Sequence, residues 1–314
     1  MRKAYLELHV AVFLFGFTAI LGKLISISAI SLVWWRVLIA SVGMLVIVRL
    51  GRTLRELPVK RILQYTGIGV IVALHWITFF GSIKASNASV ALVTMATASF
   101  FTSLIEPLVL RRRAFGFDVL LGIVIVPAMI LIVHGIDRGM HMGIWLGLVS
   151  AVLVALFSSL NKLLIGHARP LQIAFFELSG AWVFISVVFG FALFLGVPET
   201  LAADLELQVP QTSDWLYLLV LALLCTTLAY VLAVRALHHL SAFATGLVIN
   251  LEPVYGIFLA WILLKENREL TPGFYIGVVI IIIVVFTYPF IRKKDSTPNK
   301  TKHGTDQSSL SSGQ

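Results

Sequence analysis

Polar residues punctuate this chain at intervals, and between them it is mostly apolar over runs of about 18 to 23 residues, the helical length that crosses a hydrocarbon core of about 30 Å. Such runs fall at Leu6–Ile25, Ala29–Val48, Ile62–Ile83, Val90–Leu110 and Val119–Ile136, then at Gly143–Ile165, Ile173–Leu195, Trp215–Val234, Ala244–Leu264 and Phe274–Ile291. They predict ten membrane spans, called spans 1 to 10 below. The polar tail from Arg292 to Gln314 has too little apolar area to order itself and is expected to be a disordered cytoplasmic extension.

Composition agrees with the pattern. Of 314 residues, 59% are hydrophobic and 12% charged, and the mean hydropathy of +0.98 excludes an ordinary soluble fold. A net charge of +9 would suggest a nucleic-acid partner if the basic residues clustered on a soluble face, but they lie between spans. With a cytoplasmic N-terminus, the cytoplasmic segments hold Arg2, Lys3, Arg49, Arg52, Arg55, Lys60, Arg61, Arg111, Arg112, Arg113, Arg169, Arg235, Arg292, Lys293, Lys294, Lys300 and Lys302. The opposite segments hold Lys84, Arg138, Lys265 and Arg268, and the longest of them, Gly196–Asp214, is acidic with no Lys or Arg. This bias predicts both termini in the cytoplasm and no nucleic-acid role. The basic start followed by an apolar stretch also has the ingredients of a signal peptide, but the run is longer than a signal core and takes part in the repeat described next. The single cysteine, Cys225, excludes an internal disulfide or a CxxC motif and reads as a packing residue.

The two sets of five spans resemble each other. Leu21 to Ile25 closing span 1 matches Leu160 to Leu164 closing span 6, Trp34-Trp35-Arg36 matches Phe175-Phe176-Glu177, and Gly122 to Val126 matches Gly277 to Ile281. Five is odd, so the second set starts on the opposite side of the membrane and is inverted relative to the first, a plan common in secondary transporters. The fold class expected is therefore an all-α polytopic membrane protein, ten helices in two inverted repeats at residues 1–139 and 140–291, with a tail at 292–314.

An Arg early in span 2, Ser241-Ala242, Leu251-Glu252-Pro253-Val254, and Leu263-Leu264-Lys265-Glu266 followed by Gly277 together resemble the EamA-type members of the drug/metabolite transporter superfamily. The first half departs from that pattern, because the position matching Pro253 is near Ser99 and a Glu106-Pro107 pair lies about two turns later. The resemblance implies a bundle around a central cavity lined mainly by spans 1, 3, 4, 6, 8 and 9, moving small metabolites, often outward.

Charges inside spans are costly and point to a cavity, a partner or an interface. Glu252, eight residues into span 9 and so about 12 Å from its cytoplasmic end, adjoins Pro253, which removes the backbone donor to the Ile249 carbonyl. That carbonyl, Asn250 and the carboxylate together offer a site for a cation, a proton or an amine; the alternative is a structural Glu at a kink. Arg36 is a candidate to orient an anionic group; Glu177 is its repeat equivalent, but counting from opposite faces separates their depths by roughly 10 Å, so no salt bridge between them is expected. His75 in the middle of span 3 has the pKa range of a proton relay, and Trp76 and Tyr230 offer stacking surface; each is also a common packing residue. Glu106, one turn from Leu110 and the triple arginine, reads either as a site residue or as an interfacial Glu reaching that loop. Lys23 and Lys162 are expected to cap helix ends, and Gly143, Gly147, Ala151 and Ala155 to form a close-packing stripe.

No phosphate loop, HExxH or GxSxG pattern is present, so neither ATP-driven transport nor a hydrolase is supported, and no cofactor or metal is expected. The function expected is secondary transport in the cell membrane, exporting a small polar metabolite such as an amino acid or a related compound by alternating access, with that small-molecule substrate and the lipid bilayer as partners and proton coupling left open; a passive channel, or an embedded enzyme, is the alternative.

Overall fold

The computed structural model describes residues 2–48, 50–111, 127–132, 134–196, 205–237, 248–249, 251–268 and 270–295. The first half comprises α1 (Arg2–Leu24), α2 (Ala29–Val48), the short α3 (Leu50–Glu56), α4 (Val59–Ala85), α5 (Ala88–Ala96) and α6 (Ala98–Val109), with residues 127–132 also helical. A 3-10 turn at Arg138–Met140 leads into α7 (His141–Leu164), then α8 (Pro170–Leu195) and α9 (Thr212–Leu219). That last helix continues as a π-helix over Val220–Leu228 into α10 (Ala229–Leu237). The described chain closes with α11 (Glu252–Leu259), its π-helical extension Ala260–Leu264, and α12 (Pro272–Asp295). There is no strand among the described residues.

Five helical segments have the length and apolarity to cross a bilayer: Arg2–Leu24, Val59–Ala85, Arg138–Leu164, Pro170–Leu195 and Thr212–Ala233. The pair Ala88–Ala96 and Phe100–Val109 makes a sixth if it counts as one span, and shorter apolar stretches occupy Ala29–Leu45, Glu252–Leu264 and Pro272–Val284. The described residues thus form an all-helical, multi-pass chain. Most of span 5, the start of span 9 and the polar tail beyond Asp295 lie outside them.

Two expected spans differ from a simple rod. Span 4 is broken at Thr97 and bent by 46°. The Thr97 hydroxyl and N–H both donate to the Thr94 carbonyl, at 2.6 and 3.1 Å, and this tighter i−3 pairing interrupts the α-helical ladder. In span 9, Glu252 is not deep within a described helix; α11 begins at Glu252 itself, with Pro253 in its first turn. A proline is favoured there because its missing N–H would have no intrahelical partner. The repeat matches Pro253 to the neighbourhood of Ser99, so both fourth helices are interrupted at corresponding places. Both also end on a left-handed non-glycine residue, Arg111 at φ 51° and Lys265 at φ 57°.

The two halves are locked together by glycines at helix crossings. Gly69 of α4 lies against the Glu177 carbonyl of α8, and Gly180 of α8 against the Thr66 backbone of α4. The α7 stripe is buried as expected, with Gly143 against Ser86 and Gly147 against Thr94, and the Ser82 hydroxyl donates to the Gly143 carbonyl at 2.7 Å. Gly16 of α1 meets the backbone of Gly256 and Glu252 in α11. Lipid offers no hydrophobic drive to bring helices together, so this close backbone approach and its dispersion contacts do so.

Polar groups join the halves where α1 ends and α2 begins. The Ser26 N–H and hydroxyl donate to Asp214 at 3.0 and 2.6 Å, and Ser28 N–H donates to Gln208 at 2.6 Å. Glu266 accepts from the N–H groups of Ala88 and Ser89 at the start of α5, at 2.9 and 2.8 Å, a favourable place for a carboxylate at a helix N-terminus. Lys23, expected only to cap its own helix, donates to the Ser86 carbonyl at 3.2 Å.

The same substitution two residues apart is expected to act with opposite sign. Gly69→Ala drives a methyl into the Glu177 carbonyl and should destabilise the purified protein by about 1–3 kcal/mol. Gly67→Ala meets open space and should be neutral or stabilising by up to about 1 kcal/mol. Thermal unfolding in detergent measures both.

Candidate functional site

Between the halves lies a cavity of about 260 Å³. The first half contributes Phe15 and Thr18 from α1, Arg36 and Met44 from α2, Val72, His75, Trp76 and Phe79 from α4, and Met95 from α5. The second contributes Val154 and Phe157 from α7, Ala174, Glu177 and Leu178 from α8, Cys225 and Thr226 from the π-helix, Tyr230 from α10 and Glu252 from α11. Each of spans 1, 3, 4, 6, 8 and 9 reaches the cavity, and spans 2 and 7 add the charged Arg36 and Glu177. Both interrupted helices border it, at Met95 and at Glu252.

Arg36 is only 3% exposed. Its Nε donates to the Thr226 hydroxyl at 2.9 Å, and its guanidinium carbon lies 4.1 Å from the centre of the Trp76 ring, a cation–π contact strengthened by burial. Thr226 can serve here because the π-helix turns its hydroxyl inward; that hydroxyl donates to the Leu221 carbonyl five residues back, at 2.7 Å, and Thr227 repeats the pattern onto Ala222 at 3.0 Å. Wider π turns recur where a helix carries function.

His75 is buried against Ser150. Its Nδ1 lies 3.0 Å from the Ser150 carbonyl and 2.8 Å from its hydroxyl, which also lies 2.9 Å from the His75 carbonyl. Nδ1 is thus engaged by Ser150, and Nε2 makes no hydrogen bond among the described residues. Phe79 stacks on the ring at 6.3 Å and Phe157 leans on it at 5.5 Å. The Tyr230 hydroxyl donates to the Pro170 carbonyl at 3.0 Å, tying α10 to the start of α8 while its ring faces the cavity.

Five of the seven residues singled out from sequence, Arg36, His75, Trp76, Tyr230 and Glu252, therefore share one cavity. Asn250 lies outside the described residues. Glu106 is not brought to the cavity: it is buried and ion-paired with Lys162 of α7. Lys162, expected only to cap its helix, is thus also a partner for Glu106, because the packing of α6 against α7 sets the two charges together; Arg112 and Arg113 of the arginine loop lie outside the described residues. Arg36 and Glu177 both line the cavity and form no ion pair, in keeping with the separate depths expected of them. Thr226 and Cys225 were not singled out as site residues, and a run of apolar residues holding Cys225-Thr226-Thr227 gives only a weak sign of a polar face.

Removing the Thr226 hydroxyl leaves a buried guanidinium N–H without its acceptor. Thr226→Val should cost about 1.5–3 kcal/mol, read as a lower melting temperature, whereas Thr226→Ser, which keeps the oxygen, should recover most of it.

Comparison with known proteins places the chain. The EamA-like transporter family matches residues 2–134 and again residues 141–288. The Uncharacterized transporter YetK of Bacillus subtilis (strain 168) is 26% identical over 306 residues, spanning 93% of this chain and 88% of its own. One protein of known crystal structure aligns over 95% of this chain and 100% of its own with a TM-score of 0.60 at 15% identity, a likeness of fold. With the family found in each half of a helical, apolar chain, the protein belongs to the EamA-like transporter family and is a multi-pass membrane transporter.

Proposed function

We propose that the protein is a secondary carrier of the cell membrane that exports a small polar metabolite, such as an amino acid or a related compound, by alternating access. The observation that carries this reading is the cavity between the halves, apolar over most of its wall and bearing Arg36, Glu177 and Glu252 without an ion pair among them. Isolated charges facing a shared cavity within a membrane mark a substrate or ion path. Interrupted helices at matching places in two halves point to the same location.

In this mechanism the repeats at 1–139 and 140–291 rock about the glycine crossings, exposing the cavity to each side in turn. Trp76 and Tyr230 supply stacking surface, and Arg36 receives an anionic group. Glu252, at the start of α11, holds a substrate amine, a coupling cation or a proton, with Asn250 beside it in sequence and His75 as a secondary contact. Both termini face the cytoplasm, with residues 292–314 as a cytoplasmic tail, so the polar seam holding Asp214 and Glu266 is external.

Glu252→Gln should lower saturable flux in proteoliposomes by about tenfold or more while leaving the melting temperature and elution profile close to wild type; normal flux by the folded variant would remove Glu252 from the mechanism. A metabolite and amino-acid screen with and without an imposed pH gradient identifies cargo and coupling, and non-saturating flux would indicate a passive channel instead. Reporters fused after residue 314 are expected to be active on the cytoplasmic side only, and external activity would reverse the orientation.

A further inference from the structure

The chain between α2 and α4 is not a free loop. It forms α3, where the Thr53 hydroxyl donates to the Val48 carbonyl at 2.9 Å, and α3 is fastened to the second half. The Gln172 side-chain amide, from the first turn of α8, donates to the Thr53 hydroxyl at 3.2 Å and to Glu56 at 3.3 Å, while its oxygen accepts from the Arg169 N–H at 2.9 Å. Thr53, Leu57 and Gln172 are buried at this junction. A buried side chain with its donors and acceptor engaged in this way holds α3 in a fixed place against α8.

The other side of the same segment is open. Leu54, Val59 and Leu63 are 50%, 71% and 65% exposed, and Arg55 and Lys60 are exposed among them. Arg61 follows, its Nη1 donating to Gln64 at 3.0 Å, and Arg169 is exposed at the start of α8. Over residues 53–64 and 169–172, these four cations stand against the one carboxylate of Glu56. Water disfavours three bare apolar side chains and the hydrocarbon core disfavours the cations, whereas the boundary between headgroups and acyl chains suits both. Joining the end of one span to the start of the next, α3 lies where that boundary is.

We propose that α3 and the first turns of α4 form a docking surface for anionic phospholipid, with the cations from Arg55 to Arg61 on the headgroups and Leu54, Val59 and Leu63 against the acyl chains. The excess of positive charge selects an anionic headgroup over a zwitterionic one, and the exposed apolar side chains select a lipid over a free phosphate. Gln172 carries the effect further: because it fastens this surface to α8, lipid bound at α3 braces the junction between the two halves. The assignment rests on the membrane location of the chain and is independent of the cargo and of which way the termini face.

The test titrates the full-length protein, purified in a neutral detergent, with phosphatidylglycerol or with phosphatidylcholine of the same acyl chains while its melting temperature is followed. Phosphatidylglycerol should stabilise saturably and less so at high salt, phosphatidylcholine should need about tenfold or more lipid for the same shift, and glycerol 3-phosphate, a headgroup without chains, should give none at matching concentrations. Arg55→Gln combined with Lys60→Gln should raise the half-saturating phosphatidylglycerol concentration by about tenfold or more, and Arg55→Lys combined with Lys60→Arg should leave it near wild type. Arg2→Gln combined with Lys3→Gln removes the same charge elsewhere and should also leave it near wild type. Equal stabilisation by the two lipids, no stabilisation by phosphatidylglycerol, an equal shift with glycerol 3-phosphate, an unchanged response in the folded Arg55 and Lys60 variant, or an equal loss in the Arg2 and Lys3 variant overturns the assignment. The wild-type comparison of the two lipids decides even if a variant fails to fold, and since no transport is measured, the carrier reading is judged separately by flux.

Discussion

Close approach of backbones at glycine is the constraint from which the rest of this structure follows. Gly69 and Gly180 let α4 and α8 cross with carbonyls in contact, Gly143 and Gly147 seat α7 on α4 and α5, and Gly16 with Gly256 brings α1 against α11. Every one of these crossings joins the first half to the second. A bilayer cannot press apolar surfaces together as water does, so the area gained by removing side chains at the crossings is what makes association favourable. Where the helices then diverge from these tight points, the larger side chains between them leave the cavity.

The electrostatics of the cavity depends on that framework. Gly69 sits on the backbone of Glu177, so the crossing that binds the halves also fixes where that carboxylate stands. Arg36 is held from three sides, by Thr226 on the opposite half, by Trp76 on its own, and through the field of Glu252. A long, flexible cation in a low-dielectric space would otherwise lose much of its order, and the ring and hydroxyl preorganise it. Glu106 and Lys162 meet their needs differently, as a pair between α6 and α7 apart from the cavity.

The all-helical, multi-pass character of the chain was legible because the length and apolarity of a span are properties of contiguous sequence. The breaks were less so. Pro253 announced an interruption in span 9, but placing it inside a continuous helix missed that proline is at ease in a first turn; Thr97 has neither proline nor glycine beside it and breaks its helix through a hydroxyl that any helical threonine also possesses. Five site candidates converged because polar and aromatic residues within spans are few and their positions constrained. Arg36 and Glu177 were both legible as charges within spans, but that each lines the same cavity depends on helix packing that counting along a rod does not supply. The Lys162 partner of Glu106 was not legible, since 56 positions separate them and only the tertiary packing of α6 on α7 brings them together.

The π-helix of Val220–Leu228 adds a relation of phase to this picture. An α-helix advances each residue by about 100° around its axis, while the wider turn spends extra residues on the same rotation. The run from Thr212 to Leu237 therefore behaves as two rods whose azimuths are offset by the segment joining them. Asp214 faces its partner Ser26 at one end, and Tyr230 faces the Pro170 carbonyl at the other, two bearings that one continuous α-helix would relate by a single fixed angle. Rewinding the segment as α-helix would swing one bearing relative to the other. The hydroxyls of Thr226 and Thr227, hooked onto carbonyls five residues back, act as the detent that keeps this offset.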